Sequence, residues 1–226
     1  MFSLPALMFL GIPGPIANAT NRIGGMAQNI TSVITFYRKG FSNFRLSLSL
    51  AFCSLPGVVI GAFIASKIKA ENFDIVLVII LFAMVLSLFM DRSSKAINDT
   101  EAKPISKKHK VAAHLGMVIA GFWGGFIQMG VAFIILPILQ RGLGVDLIHA
   151  NMHKVFIVLL MGIISLLVFA SQIEVEWMAG LYLAFGAMIG AYIGTNLQIK
   201  RGPEFVRWML ITVAVIFTIR LIMGRI

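Results

Sequence analysis

The chain has 226 residues, of which 59% are hydrophobic and only 12% charged, with a mean hydropathy of +0.94. A soluble domain carries about 25% charged residues, so this chain cannot coat a globule with polar side chains, and a soluble enzyme is excluded. The 19 Lys and Arg outnumber the 9 Asp and Glu to give +10. In so apolar a chain that excess reads as membrane topology and contact with anionic lipid, not as nucleic-acid binding.

Crossing about 30 Å of hydrocarbon takes roughly 20 mostly apolar residues in a helix. Taken in chain order, the uncharged runs predict seven helical spans, near 15–36, 46–66, 73–90, 113–139, 148–170, 177–199 and 204–222. The first is the most polar. The second holds Cys53, the single cysteine, which excludes an intramolecular disulfide and reads as a small packed hydrophobe. No run shows the period-two alternation of a membrane barrel. The expected fold class is therefore an all-α polytopic membrane protein. Residues 1–21 contain no Lys or Arg, so the basic region of a signal peptide is not expected.

Residues 91–112 are rich in base, contain Pro104 and lack an apolar run. They read as a linker between a first transmembrane repeat (1–90) and a second (113–226), in contact with anionic lipid. Counting Lys and Arg in alternate connections places Arg38, Lys39, Arg45, the linker, Arg220 and Arg225 on one side. Lys67, Lys69, Arg141, Lys200, Arg201 and Arg207 fall on the other. The richer side, with the linker and the C-terminus, is expected to be cytoplasmic. The stretch from Gln172 to Glu176 dissents, since it carries Glu174 and Glu176 and no base.

The halves repeat. Gly57 to Ile68 (GVVIGAFIASKI) aligns with Gly186 to Leu197 (GAMIGAYIGTNL). Leu4-Pro5-Ala6-Leu7 aligns with Leu136-Pro137-Ile138-Leu139, and Ala17 to Asn21 aligns with Ala150 to Lys154. These collinear matches predict two four-helix repeats. In that frame the first helix of repeat 1 falls before Met1, so about seven of eight spans are expected in this chain. An even number of spans per repeat further predicts that the repeats are parallel, related by an axis along the membrane normal.

These motifs, together with Gly121 to Gly130 (GFWGGFIQMG) and Arg22, resemble the TauE/SafE family. Its members are bacterial membrane permeases linked to export or uptake of sulfite and other small sulfur-containing or organic anions. The resemblance implies a transporter in the bacterial inner membrane, without enzymatic activity, that moves its two repeats around an interior site. A non-transporting accessory or partner-binding subunit is the alternative. No cofactor is expected.

Ionisable groups inside a membrane are costly and mark function by default. Arg22 and Lys154 are the two bases that fall within predicted spans, and the repeat sets Lys154 opposite Asn21, next to Arg22. Two such cations, with no carboxylate nearby in either span, read as an anion site, or else as side chains that snorkel to an interface. Asn18, Thr20, Asn21 and Asn151 add donors, and Gly24-Gly25 with Pro13 and Pro15 read either as a place where the helix breaks or starts, or as ordinary helix packing by glycine. Gln128 and Gly125 read either as donor and close backbone approach to substrate, or as helix packing. His149 and His153 share a helix face but lack a third metal ligand, so no metal is expected. The small-residue ridges Gly57/Gly61/Ala65 and Gly186/Gly190/Gly194 read as helix packing, with homodimerisation as a further use.

Overall fold

The computed structural model describes residues 3–41, 44–73, 75–80 and 107–201, and all regular structure among them is helical. The helices are α1 (Ser3–Phe9), α2 (Gly14–Arg38), α3 (Arg45–Lys67), α4 (Lys107–Phe126), α5 (Ala132–Pro137), α6 (Leu147–Ala170) and α7 (Trp177–Arg201). A π-helical turn, Ile138–Gly142, extends α5, and residues 70–73 and 75–80 are also helical. Of these, Arg45–Lys67, Leu147–Ala170 and Trp177–Lys200 are long and apolar enough to cross a membrane.

Local chemistry sets the helix ends. Pro15 opens α2, where a missing N–H costs nothing. Gly40 closes it in the left-handed region at φ +89°, which lets the Phe41 amide bond back to the Phe36 carbonyl at 3.1 Å. Asp146 caps α6 by accepting from the amides of Ile148 and His149.

Contacts along each helix pair fix its direction. The pair α3–α4 is the most extensive among the described residues and runs parallel, from Ser49 beside His114 to Val58 beside Gly125. Its closeness depends on glycine: a Cβ on Gly57 would fall on the Val118 carbonyl, and one on Gly121 on the Ser54 carbonyl. Helices α2 and α7 are also parallel, from Gly24 against Leu183 to Ser32 against Thr195. Helices α3 and α6 run parallel, with Ser47 bonded to His153 and Ala62 and Ala65 packed with Phe169. Helix α2 is antiparallel to α6: Arg22 meets Ser165, Met26 meets Gly162, and Phe36 packs with Met152 and Val155.

Two expectations are corrected by these directions. The run 113–139 is not one span, because α4 stops at Phe126 and α5 turns back along it. Val131 packs at Gly124, Ile138 at Gly116, and Gly142 lies beside Ala113. The motif Ala17–Asn21 lies on α2 and its match Ala150–Lys154 on the antiparallel α6, so the matched helices are inverted, not parallel. The even span count behind the parallel expectation had taken the hairpin as a single crossing.

The hairpin also reassigns the loop charges. Arg38, Lys39, Arg45, Lys107, Lys108, Lys110, Arg141, Lys200 and Arg201 all lie at one end of the bundle. Lys67, Lys69, Glu71, Glu174 and Glu176 lie at the other. Arg141, Lys200 and Arg201 thus share an end with Arg38, against the alternating count, and the dissenting glutamates lie opposite the basic end. The rest of the 73–90 span, the 204–222 span, most of the 91–112 linker and the C-terminus lie outside the described residues.

Candidate functional site

The hairpin turns at a break inside the bundle. Gln128 (φ +56°) and Gly130 (φ +76°) both take left-handed backbone, and among the described residues Gln128 is the only non-glycine to do so. Such a conformation is sparsely populated and is held by its surroundings. Here the indole Nε1 of Trp123 donates to the Met129 carbonyl at 2.8 Å, pinning the turn.

A helix that stops inside an apolar bundle leaves its last carbonyls without partners, at the negative end of its dipole. Two residues of α2, one turn apart on one face, supply the partners. The Nδ2 of Asn18 donates to the Phe126 carbonyl at 2.8 Å. The guanidinium of Arg22 donates from Nη1 to the Gly124 carbonyl at 2.6 Å and from Nη2 to the Gly125 carbonyl at 2.6 Å. Nη1 also donates to Ser165 Oγ at 2.9 Å, and the guanidinium carbon lies 5.1 Å from the centre of the Phe169 ring. Arg22 is completely buried. It does not snorkel, and among the described residues it has no ion-pair partner.

The break is polar beyond what it satisfies internally. Asn18 Oδ1, Arg22 Nε and Gln128 Oε1 are buried without a hydrogen-bond partner. The Gln128 amide lies against Gly25, where a Cβ would meet its Nε2 at 3.2 Å and its Oε1 at 3.4 Å. Gly25 follows Arg22 by three positions, so Asn18, Arg22 and Gly25 share one face of α2. A cation, two amides and a bare stretch of backbone therefore converge where α4 ends. Helix α2 itself runs unbroken through Gly24-Gly25; the broken helix is α4.

The other candidates lie elsewhere. Lys154 donates to Asn151 Oδ1 at 2.9 Å, and Ser165, the α6 residue that touches Arg22, is three turns away along the helix, roughly 16 Å. Arg22 and Lys154 are thus not brought together. Asn151 bonds back to the Leu147 carbonyl. Thr20 turns toward the opposite end of the bundle, where its Oγ1 accepts from the Glu176 amide, and Asn21 is half-buried. Gly125 takes part through its carbonyl. Nothing in the sequence singles out Ser165, Phe169 or Trp123: one serine and two aromatics in apolar helices carry no distinguishing pattern.

At the basic end, His153 is buried and its Nδ1 is 2.7 Å from Ser47 Oγ, while His149 pairs with Asp146. The two histidines are thus engaged separately, and no group of three metal-ligating side chains occurs among the described residues. Partial burial alone would raise the Asp146 carboxyl. Hydrogen bonds from the His149 amide and ring and the Ile148 amide outweigh it and hold the carboxyl below its ordinary value.

The family model described as "Sulfite exporter TauE/SafE" matches residues 1–221. "Probable membrane transporter protein ORF9" of Sinorhizobium sp is 24% identical over 225 residues, covering 98% of this chain and 84% of that protein. "Probable membrane transporter protein YfcA" of Escherichia coli K12 is 24% identical, over 98% of this chain and 81% of its own length. "Probable membrane transporter protein YjnA" of Bacillus subtilis is 24% identical, over 96% of this chain and 89% of its own length. No solved structure matches the chain.

Proposed function

Since the chain belongs to the sulfite exporter TauE/SafE family, we propose that it is an inner-membrane permease for a small oxyanion: sulfite, a sulfonate or a related organic acid. The observation that carries this reading is Arg22, a fully buried guanidinium at a helix break with no ion-pair partner among the described residues. An isolated charge in an apolar interior is costly unless it is paired. The carbonyls of Gly124 and Gly125 offset part of that cost, and an anion at the break completes it. Arg22 Nε and Gln128 Nε2, which donate to nothing else among the described residues, supply hydrogen bonds in place of the anion's water.

The α4–α5 hairpin, held to α2 by those bonds, is the element that moves. Shifting the two inverted halves against one another opens the break first to one side and then to the other. Lys154 and Asn151 act as a waypoint between the break and the basic end, which the positive-inside rule makes cytoplasmic. Catalysis has no part in this scheme.

A binding screen of the purified chain with sulfite, thiosulfate, sulfoacetate and short carboxylates tests the reading. It predicts saturable binding of at least one sulfur oxyanion, lost in Arg22→Gln. Binding of none of them would remove the proposed substrate class.

A further inference from the structure

A cavity of about 320 Å³ opens between the C-terminal halves of α2 and α7, lined by Thr31, Thr35, Arg38, Lys39, Tyr192 and Asn196. It lies at the basic end, away from the helix break, and among the described residues no acidic side chain lines it. Among the described residues neither Arg38 nor Lys39 has an ion-pair partner. The hydroxyls of Thr31 and Thr35 donate to carbonyls of their own helix, and the Asn196 amide donates to the Tyr192 carbonyl. The two cations and the Tyr192 hydroxyl are therefore the lining groups left to take up an anion.

Each helix leads into the cavity along an apolar stripe. On α2, Ile30 and Ile34 precede Arg38 at intervals of four; on α7, Phe185 and Ile189 precede Tyr192 and Asn196 at intervals of four, three and four. These spacings put each set on one helix face, and all four apolar side chains are exposed. Because α2 and α7 are parallel, both stripes change from apolar to polar toward the same end. From Phe185 to Asn196 the stripe is roughly 16 Å long at 1.5 Å per residue, about one leaflet of a 30 Å hydrocarbon core. A free anion has no use for such a stripe, whereas an amphiphile with an anionic head does. Tyr192 stands at the transition, where an amphipathic ring suits the headgroup level.

We propose that this cavity binds the phosphate headgroup of an anionic phospholipid through Arg38 and Lys39, with an acyl chain along the Ile30/Ile34 and Phe185/Ile189 stripes. The full chain, purified in detergent, is titrated with phosphatidylglycerol and with phosphatidylcholine of the same acyl chains, and bound lipid is counted by native mass spectrometry. Phosphatidylglycerol should bind preferentially. Arg38→Gln/Lys39→Gln should weaken it about 25-fold, at roughly fivefold per base, while Lys67→Gln/Lys69→Gln at the other end leaves it unchanged. Equal binding of both lipids, or equal weakening by the two double substitutions, would overturn the proposal. Displacement of the lipid by glycerol phosphate at equal concentration would also overturn it, since it would mark a site for soluble anions.

Discussion

The Arg22 guanidinium donates to the Gly125 carbonyl at 2.6 Å, joining a side chain of the first half of the chain to the last turn of a helix in the second. Its other branch reaches the neighbouring Gly124 carbonyl, so one planar fork caps two carbonyls that α4 cannot satisfy itself. Arg22→Gln leaves them short of partners. We expect a loss of about 3 kcal/mol, from roughly 1–3 kcal/mol per unsatisfied buried group, measured by thermal unfolding in detergent. Wild-type melting would show that the carbonyls find other donors.

The two matched glycine ridges should respond oppositely to a side chain. A Cβ on Gly57 or Gly61 overlaps the α4 backbone, whereas Gly186, Gly190 and Gly194 on α7 have nothing within 4 Å among the described residues. Gly57→Leu must separate α3 from α4 and should cost about 3 kcal/mol or more, the upper range for overpacking. Gly190→Leu should stay within about 0.5 kcal/mol. Comparable losses in both would mean that the α7 ridge is packed after all.

Gly25 leaves room for the Gln128 amide. A methyl group there meets Nε2 at 3.2 Å, so Gly25→Ala pushes the amide aside without opening a cavity. If Gln128 binds substrate, KM should rise roughly threefold or more with little change in kcat, as for loss of uniform binding. An unchanged KM would leave Gln128 with packing alone.

Asp146 caps α6, and its carboxyl is held below the ordinary 3.8. A carboxyl lowered on folding stabilises the fold above its unfolded pKa and loses that contribution as pH falls through the folded value. Asp146→Ala should therefore lower the melting temperature at pH 7, by loss of a cap worth about 1 kcal/mol. The gap between variant and wild type should narrow below about pH 4. A gap of constant size down to pH 3 would argue against an ionised cap.

Much of the fold is legible in the sequence. The expected spans 15–36, 46–66, 148–170 and 177–199 coincide within two residues at each end with α2, α3, α6 and α7, because a long uncharged run has few other ways to satisfy its backbone in lipid. The hairpin is not legible, since an apolar run reports how much chain is in the membrane and not which way it travels. One signal was present: 113–139 as a single helix would be roughly 40 Å long, well beyond a 30 Å hydrocarbon core. From that one segment came both the parallel repeats and the misplaced Arg141, Lys200 and Arg201. Arg22, Asn18 and Gln128 are legible because polar groups in apolar spans stand out. Their meeting at one break, and the distance of Lys154 from it, depend on helix directions that composition does not encode.

The most direct test of the central claim is sulfite flux into proteoliposomes, comparing wild type with Arg22→Lys. Lysine keeps the charge but cannot span the Gly124 and Gly125 carbonyls while also presenting an Nε–H. Wild type should carry saturable flux, and Arg22→Lys should lower it at least roughly tenfold, a loss of about 1.4 kcal/mol in transition-state stabilisation. Flux in Arg22→Lys equal to that of wild type would contradict the assignment of the helix break as the anion site.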